Sequence, residues 1–288
     1  MLRGYLYIIA SAVIFGTMPL MANTIYAQGV NPMTLVLLRN LMSLPILGFL
    51  AWRQKGSLRV PVKTALKVGL IGLMGCCVTQ LLLFASYRTL PSGTATVLHF
   101  VYPAVVALGG VLVFRQKKSL REWAAIGICL VGVLLFYDPE QPLDWNGAAL
   151  ALLSGVAFAA YVLLLGAFQD KGVTGFLFNF WAILACAAAL GVVCPLTGTL
   201  QLPTTWIGWA LCLMVAVVVN IGAVTLFQQG TFRIGSQKAA ILSTLEPITG
   251  VALGVLVLNE SISLSTGIGT ALVVLASILI AASDLKKK

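Results

Sequence analysis

Long apolar stretches dominate this sequence and limit what it can fold into. Of its 288 residues, 60% are hydrophobic and 9% are charged, and the mean hydropathy is +1.02. A soluble domain carries about 25% charged residues, so a water-soluble globular fold cannot hide this much apolar surface. Disorder requires the opposite composition, with low hydrophobicity and high charge. The sequence therefore predicts an all-α polytopic membrane protein, because in lipid each span must satisfy its own backbone hydrogen bonds.

Ten apolar segments have the length of transmembrane helices, which need about 20 residues to cross the hydrocarbon core. The first carries one arginine and no A-x-A cleavage site, so it is predicted to be a retained span and not a signal peptide. The ten segments cover residues 4–27, 31–52, 66–87, 93–114, 121–137, 146–168, 174–194, 205–230, 236–258 and 264–283.

The distribution of lysine and arginine predicts the orientation of these spans. With the N-terminus in the cytoplasm, sixteen of the 18 basic residues fall on the cytoplasmic side and only Arg88 falls in an outer loop. Arg39 lies inside a span. Cytoplasmic loops collect basic residues, so both termini are expected in the cytoplasm of a bacterial-type inner membrane. The net charge of +10 is then mostly topology, with some attraction to anionic lipid, and nucleic-acid binding is not expected.

Several classes of active site have no matching motif here. The six cysteines lie in apolar stretches without a CxxC spacing, which is typical of small buried hydrophobes. With one histidine, no metal site is expected, and no cofactor is implied. There is no GxxxxGK[ST] loop for ATP hydrolysis and no GxSxG elbow. We therefore do not expect an enzyme.

The chain contains an internal repeat. A shift of 144 residues places Pro103 on Pro247 and Gly110-Val111-Leu112-Val113 on Gly254-Val255-Leu256-Val257 without a gap. Each copy would hold five spans, residues 1–140 in the first and 141–288 in the second. Because five is odd, the second copy would enter the membrane from the opposite side. Inverted repeats of this kind are a recurrent architecture of secondary transporters.

These repeat motifs also carry a family resemblance. The stretch from Tyr102-Pro103 to Phe114, the stretch from Leu245-Glu246-Pro247 to Asn259-Glu260, and the segment that follows resemble the ten-span EamA branch of the drug/metabolite transporter superfamily. The resemblance covers nearly the whole chain and implies a ten-helix bundle that moves small metabolites, with export favoured. Gln116 stands where family members often carry a glutamate opposite Glu260, which weakens any symmetric role for that pair.

Glu246 is the strongest candidate for a substrate or coupling site. It lies about ten residues into the ninth span, and ionisable residues at such depth are costly and commonly functional. Pro247 and Pro103 each remove a backbone donor and are expected to kink their helices toward a shared cavity. That cavity would present Glu246, Ser243, Thr244, His99 and Tyr102. The alternative for Glu246 is a structural ion pair or a cap on the broken helix.

Two further ionisable residues lie inside spans. Arg39 is in the second span, where its partner could be Glu246, a substrate carboxylate or backbone carbonyls; it could also extend to the interface. His99 could shuttle protons near neutral pH or be a hydrogen-bonded core histidine.

The other candidates are polar or aromatic residues within spans. Such residues either line a path or join helices to one another. Tyr161 and Trp181 could form an aromatic cavity wall or only pack, and Glu260 is a candidate for gating or folding at the outer surface. The polar candidates are Gln80, Asn179, Asn220 and Gln228.

The sequence therefore predicts a secondary carrier for small metabolites, with amino acids as the first substrate expectation. A coupling proton is favoured over sodium, although uniport also fits. The alternatives are a passive channel-like facilitator and, further off, an intramembrane enzyme. The sequence leaves the substrate, the driving ion and the oligomeric state open.

Overall fold

The computed structural model describes residues 2–113, 115, 119–135, 144–168, 170, 172–173, 175–243, 245–258 and 264–285. These residues form helices and connecting turns, and no strand occurs among them. In the first half the α-helices are α1 (Leu2–Gly16), α2 (Met18–Tyr26), α3 (Pro32–Lys55), α4 (Val62–Gly72), α5 (Thr79–Ser86), α6 (Ser92–His99), α7 (Tyr102–Leu112) and α8 (Leu120–Leu134). In the second half they are α9 (Trp145–Ala167), α10 (Phe176–Leu196), α11 (Trp206–Val215), α12 (Val224–Ile234), α13 (Ser236–Leu242), α14 (Leu245–Leu258) and α15 (Leu264–Leu285).

Seven helical stretches are long and apolar enough to cross a membrane. They are Leu2–Tyr26, Pro32–Lys55, Val62–Ser86, Gly93–Leu112, Trp145–Ala167, Phe176–Leu196 and Trp206–Ile234. The other three segments predicted as spans contain α8, α13 with α14, and α15. The structure therefore supports an all-helical integral membrane protein.

Helix boundaries follow local chemistry. Asn31 caps α3 by accepting a hydrogen bond from the Thr34 amide at 2.8 Å, and Pro32 occupies the first turn, where no donor is needed. At the other end of α3, Gly56 has a φ of 73°, a left-handed conformation that glycine adopts without steric cost.

Two long helices contain a π-helical segment. The first, π1, spans Leu73–Val78 between α4 and α5, and the second, π2, spans Ala216–Ala223 between α11 and α12. A shift of 144 residues places π1 on residues 217–222, inside π2. Short π-helical insertions are rare and are often found at functional sites.

The core is formed where helices from both halves of the chain meet. Helix α3 packs against α10, α1 packs against α12 and α14, and α9 packs against α5, α6 and α7. Large apolar side chains such as Leu37, Leu164 and Trp206 differ widely in exposure because only some of them face this core. The exposed ones are suited to lipid contact.

Close contact between α1 and α14 depends on Gly16. A Cβ at this position would lie 2.5 Å from the Cβ of Thr249 and 2.8 Å from the carbonyl oxygen of Glu246. Both contacts are too short, so a side chain at Gly16 must displace the first turn of α14. Gly191, in contrast, has no such atom within 4 Å of its Cβ direction.

These two glycines provide a matched pair of substitutions. Gly16→Ala is expected to lower the free energy of unfolding by about 1–3 kcal/mol, because overpacking forces backbone shifts. Gly191→Ala, inside α10, is expected to raise it by up to about 1 kcal/mol through higher helix propensity. Thermal unfolding of the detergent-solubilised protein measures both. Equal midpoints for the two variants would contradict the close packing described at Gly16.

Candidate functional site

Two helices are interrupted where they carry the predicted candidates. Helix α6 ends at His99 and α7 begins at Tyr102, with Pro103 in its first turn. Helix α13 ends at Leu242 and α14 begins at Leu245, with Glu246 and Pro247 in its first turn. Pro247 has no amide hydrogen to donate to the carbonyl of Ser243, four residues earlier. That carbonyl accepts instead from the amide of Glu246 at 2.9 Å. Helix α14 packs against α6, so the two interruptions lie close together.

A cavity opens beside these interruptions. Its empty space, including the open mouth, is about 370 Å³. One carboxylate, one imidazole, one amide and two hydroxyl groups line it, together with apolar and aromatic side chains. The lining residues are Phe15, Met18, Thr79, Gln80, Leu83, Phe84, Tyr87, His99, Phe158 and Glu246. A concave, largely apolar site with a few converging polar groups is the usual form of a small-molecule site.

The Glu246 carboxylate has no cationic partner among the residues that the structure describes around this cavity. The titratable groups that share the cavity wall with this carboxylate are those of Tyr87 and His99. The interpretation of Glu246 as half of an ion pair with Arg39 is therefore wrong for this conformation. A half-buried carboxylate without a cation is available to a cationic ligand or to a proton.

His99 is held in one orientation. Its Nδ1 lies 2.8 Å from the hydroxyl oxygen of Ser154, and that hydroxyl donates to the carbonyl of Ala151 at 2.6 Å. The Ser154 hydroxyl hydrogen is thereby used, so Nδ1 carries the proton and donates to Ser154, which leaves Nε2 as an acceptor in the neutral ring. The carbonyl of His99 packs against Gly155, where a side chain would collide.

Tyr102 and Ser243 are buried beside the cavity and are bonded to backbone. The Tyr102 hydroxyl donates to the carbonyl of Ala240 at 3.3 Å, and the Ser243 hydroxyl donates to the carbonyl of Ala239 at 2.9 Å. Neither lines the cavity in this conformation, contrary to the expectation from the sequence. Two other predicted site residues, Thr244 and Glu260, lie outside the described residues.

Arg39 is fully buried and hydrogen-bonded to neutral side chains. Its Nε donates to Asn220 Oδ1 at 2.7 Å, its Nη2 donates to the same oxygen, and its Nη1 donates to Gln80 Oε1 at 3.1 Å. The guanidinium carbon lies 5.5 Å from the ring centroid of Phe84. Arg39 therefore does not extend to the interface, and among the described residues it contacts two that line the cavity, Gln80 and Phe84.

Asn220 connects this cation to the packing of α3 against π2. Its side-chain nitrogen donates to the carbonyl of Arg39 at 3.0 Å, to Asn40 Oδ1 at 2.9 Å and to Ser43 Oγ at 3.3 Å. Asn220 thus accepts from the guanidinium and donates to the backbone of the same residue. Breaking this arrangement would leave the buried guanidinium with only its bond to Gln80 among the described residues.

The two π-helices present equivalent carbonyl groups to side chains of α10. The carbonyl of Asn220 in π2 accepts from Asn179 Nδ2 at 2.7 Å. A shift of 144 residues relates Asn220 to Cys76 in π1, and the carbonyl of Cys76 accepts from the thiol of Cys186 at 3.1 Å. Helix α10 therefore holds both π-helices through side-chain hydrogen bonds.

A second polar group of side chains lies between α9, α10 and α12. Asn179 also donates to Thr225 Oγ1 at 2.8 Å, and its Oδ1 accepts from Gln228 Nε2 at 3.4 Å. Tyr161 packs against Phe158 and Phe227, with ring centroids 5.6 Å and 6.2 Å away. Trp181 is elsewhere: its indole nitrogen donates to the carbonyl of Leu58 at 3.0 Å. Tyr161 and Trp181 therefore do not form a joint aromatic wall.

Sequence reasoning missed several residues of these networks. Asn40 and Ser43 follow Arg39 on α3, and their polarity within an apolar span was the available signal. Ser154 and Phe158 carried no such signal, because single serines and phenylalanines are common in apolar helices. Within the described ranges, no group of three histidine, cysteine or acidic residues is placed to hold a metal ion.

Comparisons with known proteins agree on one class of protein. The chain matches the EamA-like transporter family over residues 2–138 and 145–282. It is 25% identical over 300 residues to the uncharacterized inner membrane transporter YicL of Salmonella typhimurium, with 99% of this chain and 97% of YicL covered. It is 27% identical over 250 residues to the uncharacterized transporter sll1319 of Synechocystis, covering 80% and 73% of the two chains. A crystal structure that is 16% identical covers 99% of this chain and 98% of its own, with a TM-score of 0.70, which supports the fold alone.

Proposed function

The chain belongs to the EamA-like transporter family, and from this premise we propose that it is a secondary transporter that exports small amphipathic metabolites, first of all amino acids, across the inner membrane by alternating access. The single observation that carries the proposal is the cavity beside the interrupted helices, in whose wall Glu246 has no cationic partner among the described residues. The similar proteins are also described as transporters and not as enzymes.

The proposed architecture is ten spans in two inverted five-helix repeats, with both termini in the cytoplasm. The two family matches divide the chain near residue 140, which agrees with the proposed repeats of residues 1–140 and 141–288. The placement of π1 and π2 under the 144-residue shift supports the same relation. The excess of basic residues on one side supports the orientation.

The chemistry of the cavity suits a substrate with an ammonium group and an apolar side chain. The Glu246 carboxylate would bind the ammonium group, and Phe15, Phe84 and Phe158 would contact the apolar part. Arg39 takes a different role from direct carboxylate binding, because Gln80 lies between it and the cavity. Because Gln80 Oε1 accepts from Arg39, the amide nitrogen of Gln80 is the group that would donate to the substrate carboxylate.

Proton coupling is proposed to use the same cavity. Glu246 and His99 both line it, and each can take up or release a proton. A substrate ammonium and a proton would then compete for the Glu246 carboxylate, which is a simple basis for exchange. The Ser154 hydrogen bond would keep His99 oriented toward the cavity during this exchange.

The proposal is tested by counterflow in sealed proteoliposomes without ATP. The probes are labelled leucine, phenylalanine, lysine, uridine, choline and glucose 6-phosphate, each with the same unlabelled compound inside. Saturable accumulation of leucine or phenylalanine is expected. Non-saturable equilibration would indicate a channel, and the absence of counterflow for the amino acids, with folded protein verified, would contradict the proposed substrate class.

A further inference from the structure

One short helix provides a large part of the cavity wall. The lining residues that come from α5 and from the position directly after it are Thr79, Gln80, Leu83, Phe84 and Tyr87. At about 100° per residue, these positions fall on a single face of the helix. The direction of that face therefore decides which groups the cavity presents to a ligand.

The π-helix π1 sets this direction, because it immediately precedes α5. A π-turn closes its hydrogen bond over five residues, where an α-turn closes it over four. Each residue added to a helix in this way rotates the helix that follows by about 100°. An uninterrupted α-helix over the same residues would therefore turn Gln80 away from its present position, where it lines the cavity and accepts from Arg39.

Thr79 ends π1 with two hydrogen bonds to one carbonyl. Its backbone amide donates to the carbonyl of Met74, five residues earlier, which is the bond of a π-turn. Its hydroxyl donates to the same carbonyl at 2.8 Å. In an α-helix a threonine hydroxyl reaches the carbonyl three or four residues earlier, so the bond to Met74 is specific to the π-helical turn and stabilises it.

The second half of the chain provides a comparison. A shift of 144 residues places Thr79 on Ala223, at the end of π2, where the amide of Val224 donates to the carbonyl of Val219. Alanine has no hydroxyl, so the residue at this position of π2 cannot make a side-chain bond of the kind that Thr79 makes to Met74. The additional bond is thus a property of π1, the π-helix that precedes the cavity wall.

We infer that Thr79 is a positioning residue for recognition of the carboxylate group of the transported compound. By holding π1 in its register, the Thr79 hydroxyl keeps Gln80 Oε1 on the Arg39 guanidinium, at 3.1 Å from Nη1. The inference rests on the proposed function, in which the amide nitrogen of Gln80 donates to the substrate carboxylate. Thr79 acts through Gln80, whereas the ammonium group is bound at Glu246 on another helix.

An amino acid and its decarboxylated amine test this role, because phenethylamine has the ring and the ammonium group of phenylalanine but no carboxylate. Thr79→Val keeps the branched shape and removes the hydroxyl. It is expected to raise the KM of phenylalanine counterflow about fivefold, the size of effect of one neutral hydrogen bond, and to leave the KM of phenethylamine unchanged. Thr79→Ser keeps the hydroxyl and should restore the wild-type KM for phenylalanine.

Thr24→Val is the matched control. The Thr24 hydroxyl donates to the carbonyl of Leu20 at 2.8 Å within α2, and Thr24 does not line the cavity described above. This variant should leave both KM values at the wild-type level. An equal rise of the two KM values in Thr79→Val would show a merely structural role, and it would overturn the inference, as would an unchanged KM for phenylalanine.

A double-mutant cycle tests the link between Thr79 and Gln80 without any transported compound. Thr79→Val, Gln80→Met and the double variant are unfolded by heat in detergent. If Thr79 holds Gln80 on Arg39, the substitution at position 79 should cost less stability once the Gln80 amide is gone, so the two losses should not add. Additive losses would contradict the inference. Since the cycle does not use counterflow, a wild type that fails to exchange amino acids would count against the proposed function alone.

Discussion

Replacing Glu246 with glutamine is expected to reduce counterflow of an ammonium-bearing substrate by about a hundredfold, since a charge-assisted hydrogen bond contributes about 1.5–3 kcal/mol. Glu246 provides the one carboxylate among the described residues that line the cavity. Glutamine has nearly the same shape but cannot hold a net charge or exchange a proton. The fold should persist, because no cation of the described residues is paired with the carboxylate and would be left unpaired by the change.

The measurement is counterflow of leucine and phenylalanine at several pH values. A proton-coupled wild type should show a pH-dependent rate, whereas Glu246→Gln should show a low rate that does not vary with pH. Asp170→Asn is the matched control, because its carboxylate is exposed and accepts only peripheral hydrogen bonds such as that from Thr64 at 3.1 Å. Wild-type rates in the Glu246→Gln protein would remove Glu246 from the mechanism.

Replacing Asn220 with leucine is expected to destabilise the protein by about 2–4 kcal/mol, because a hydrogen bond to a charged group contributes about 1.5–3 kcal/mol and several bonds are lost together. Leucine is branched at Cγ like asparagine but is larger, so no cavity forms, and the effect comes from lost hydrogen bonds together with some overpacking. The two bonds from the Arg39 guanidinium and the bond to the Arg39 carbonyl would all be lost. Thermal unfolding in detergent measures the loss.

Asn220→Asp is the matched variant for this prediction. Aspartate keeps an oxygen for the Arg39 guanidinium and adds an opposite charge, but it loses the donor to Asn40 Oδ1 and to the Arg39 carbonyl. It should therefore be clearly more stable than Asn220→Leu. If both variants unfold at the same temperature, the bonds to the guanidinium do not control stability, and the role given to Asn220 is wrong.

Together, these contacts support our proposal that Arg39 positions Gln80 and does not itself bind the substrate. A cation with only neutral partners in an apolar interior requires several well-placed acceptors, and Asn220 and Gln80 provide them. Through Gln80 the cation influences the cavity without entering it. The proposed substrate site therefore depends on residues from both halves of the chain.

Part of this site could be predicted from the sequence because prolines and charges act locally. Pro103 and Pro247 cannot donate within a helix, and both helices are interrupted a few residues before them. Glu246 and His99 stood out as ionisable residues in apolar spans, and the structure places both on one cavity. The resemblance to EamA transporters is confirmed by the family match.

The partners of these residues could not be predicted, because they come from distant parts of the chain. Asn220 follows Arg39 by 181 residues, and Ser154 follows His99 by 55. Nothing in the sequence favoured Asn220 over Glu246 as the hydrogen-bond partner of Arg39. The two π-helices also have no sequence pattern by which they could be predicted. The hypothesis of an aromatic wall formed by Tyr161 and Trp181 rested only on both residues being aromatic.

The sequence by itself determined that this chain is a helical membrane protein, because composition and span length limit what lipid can accommodate. The transporter class followed from the resemblance of its repeat motifs to the EamA family and not from composition. The sequence also determined where helices break, because proline acts on its own backbone. Only the tertiary structure decided which side chains meet. Within the part of the chain that the structure describes, helix packing gave Glu246 no cationic partner and bound Arg39 to Asn220 and Gln80. These outcomes depend on contacts between helices, which no local pattern specifies.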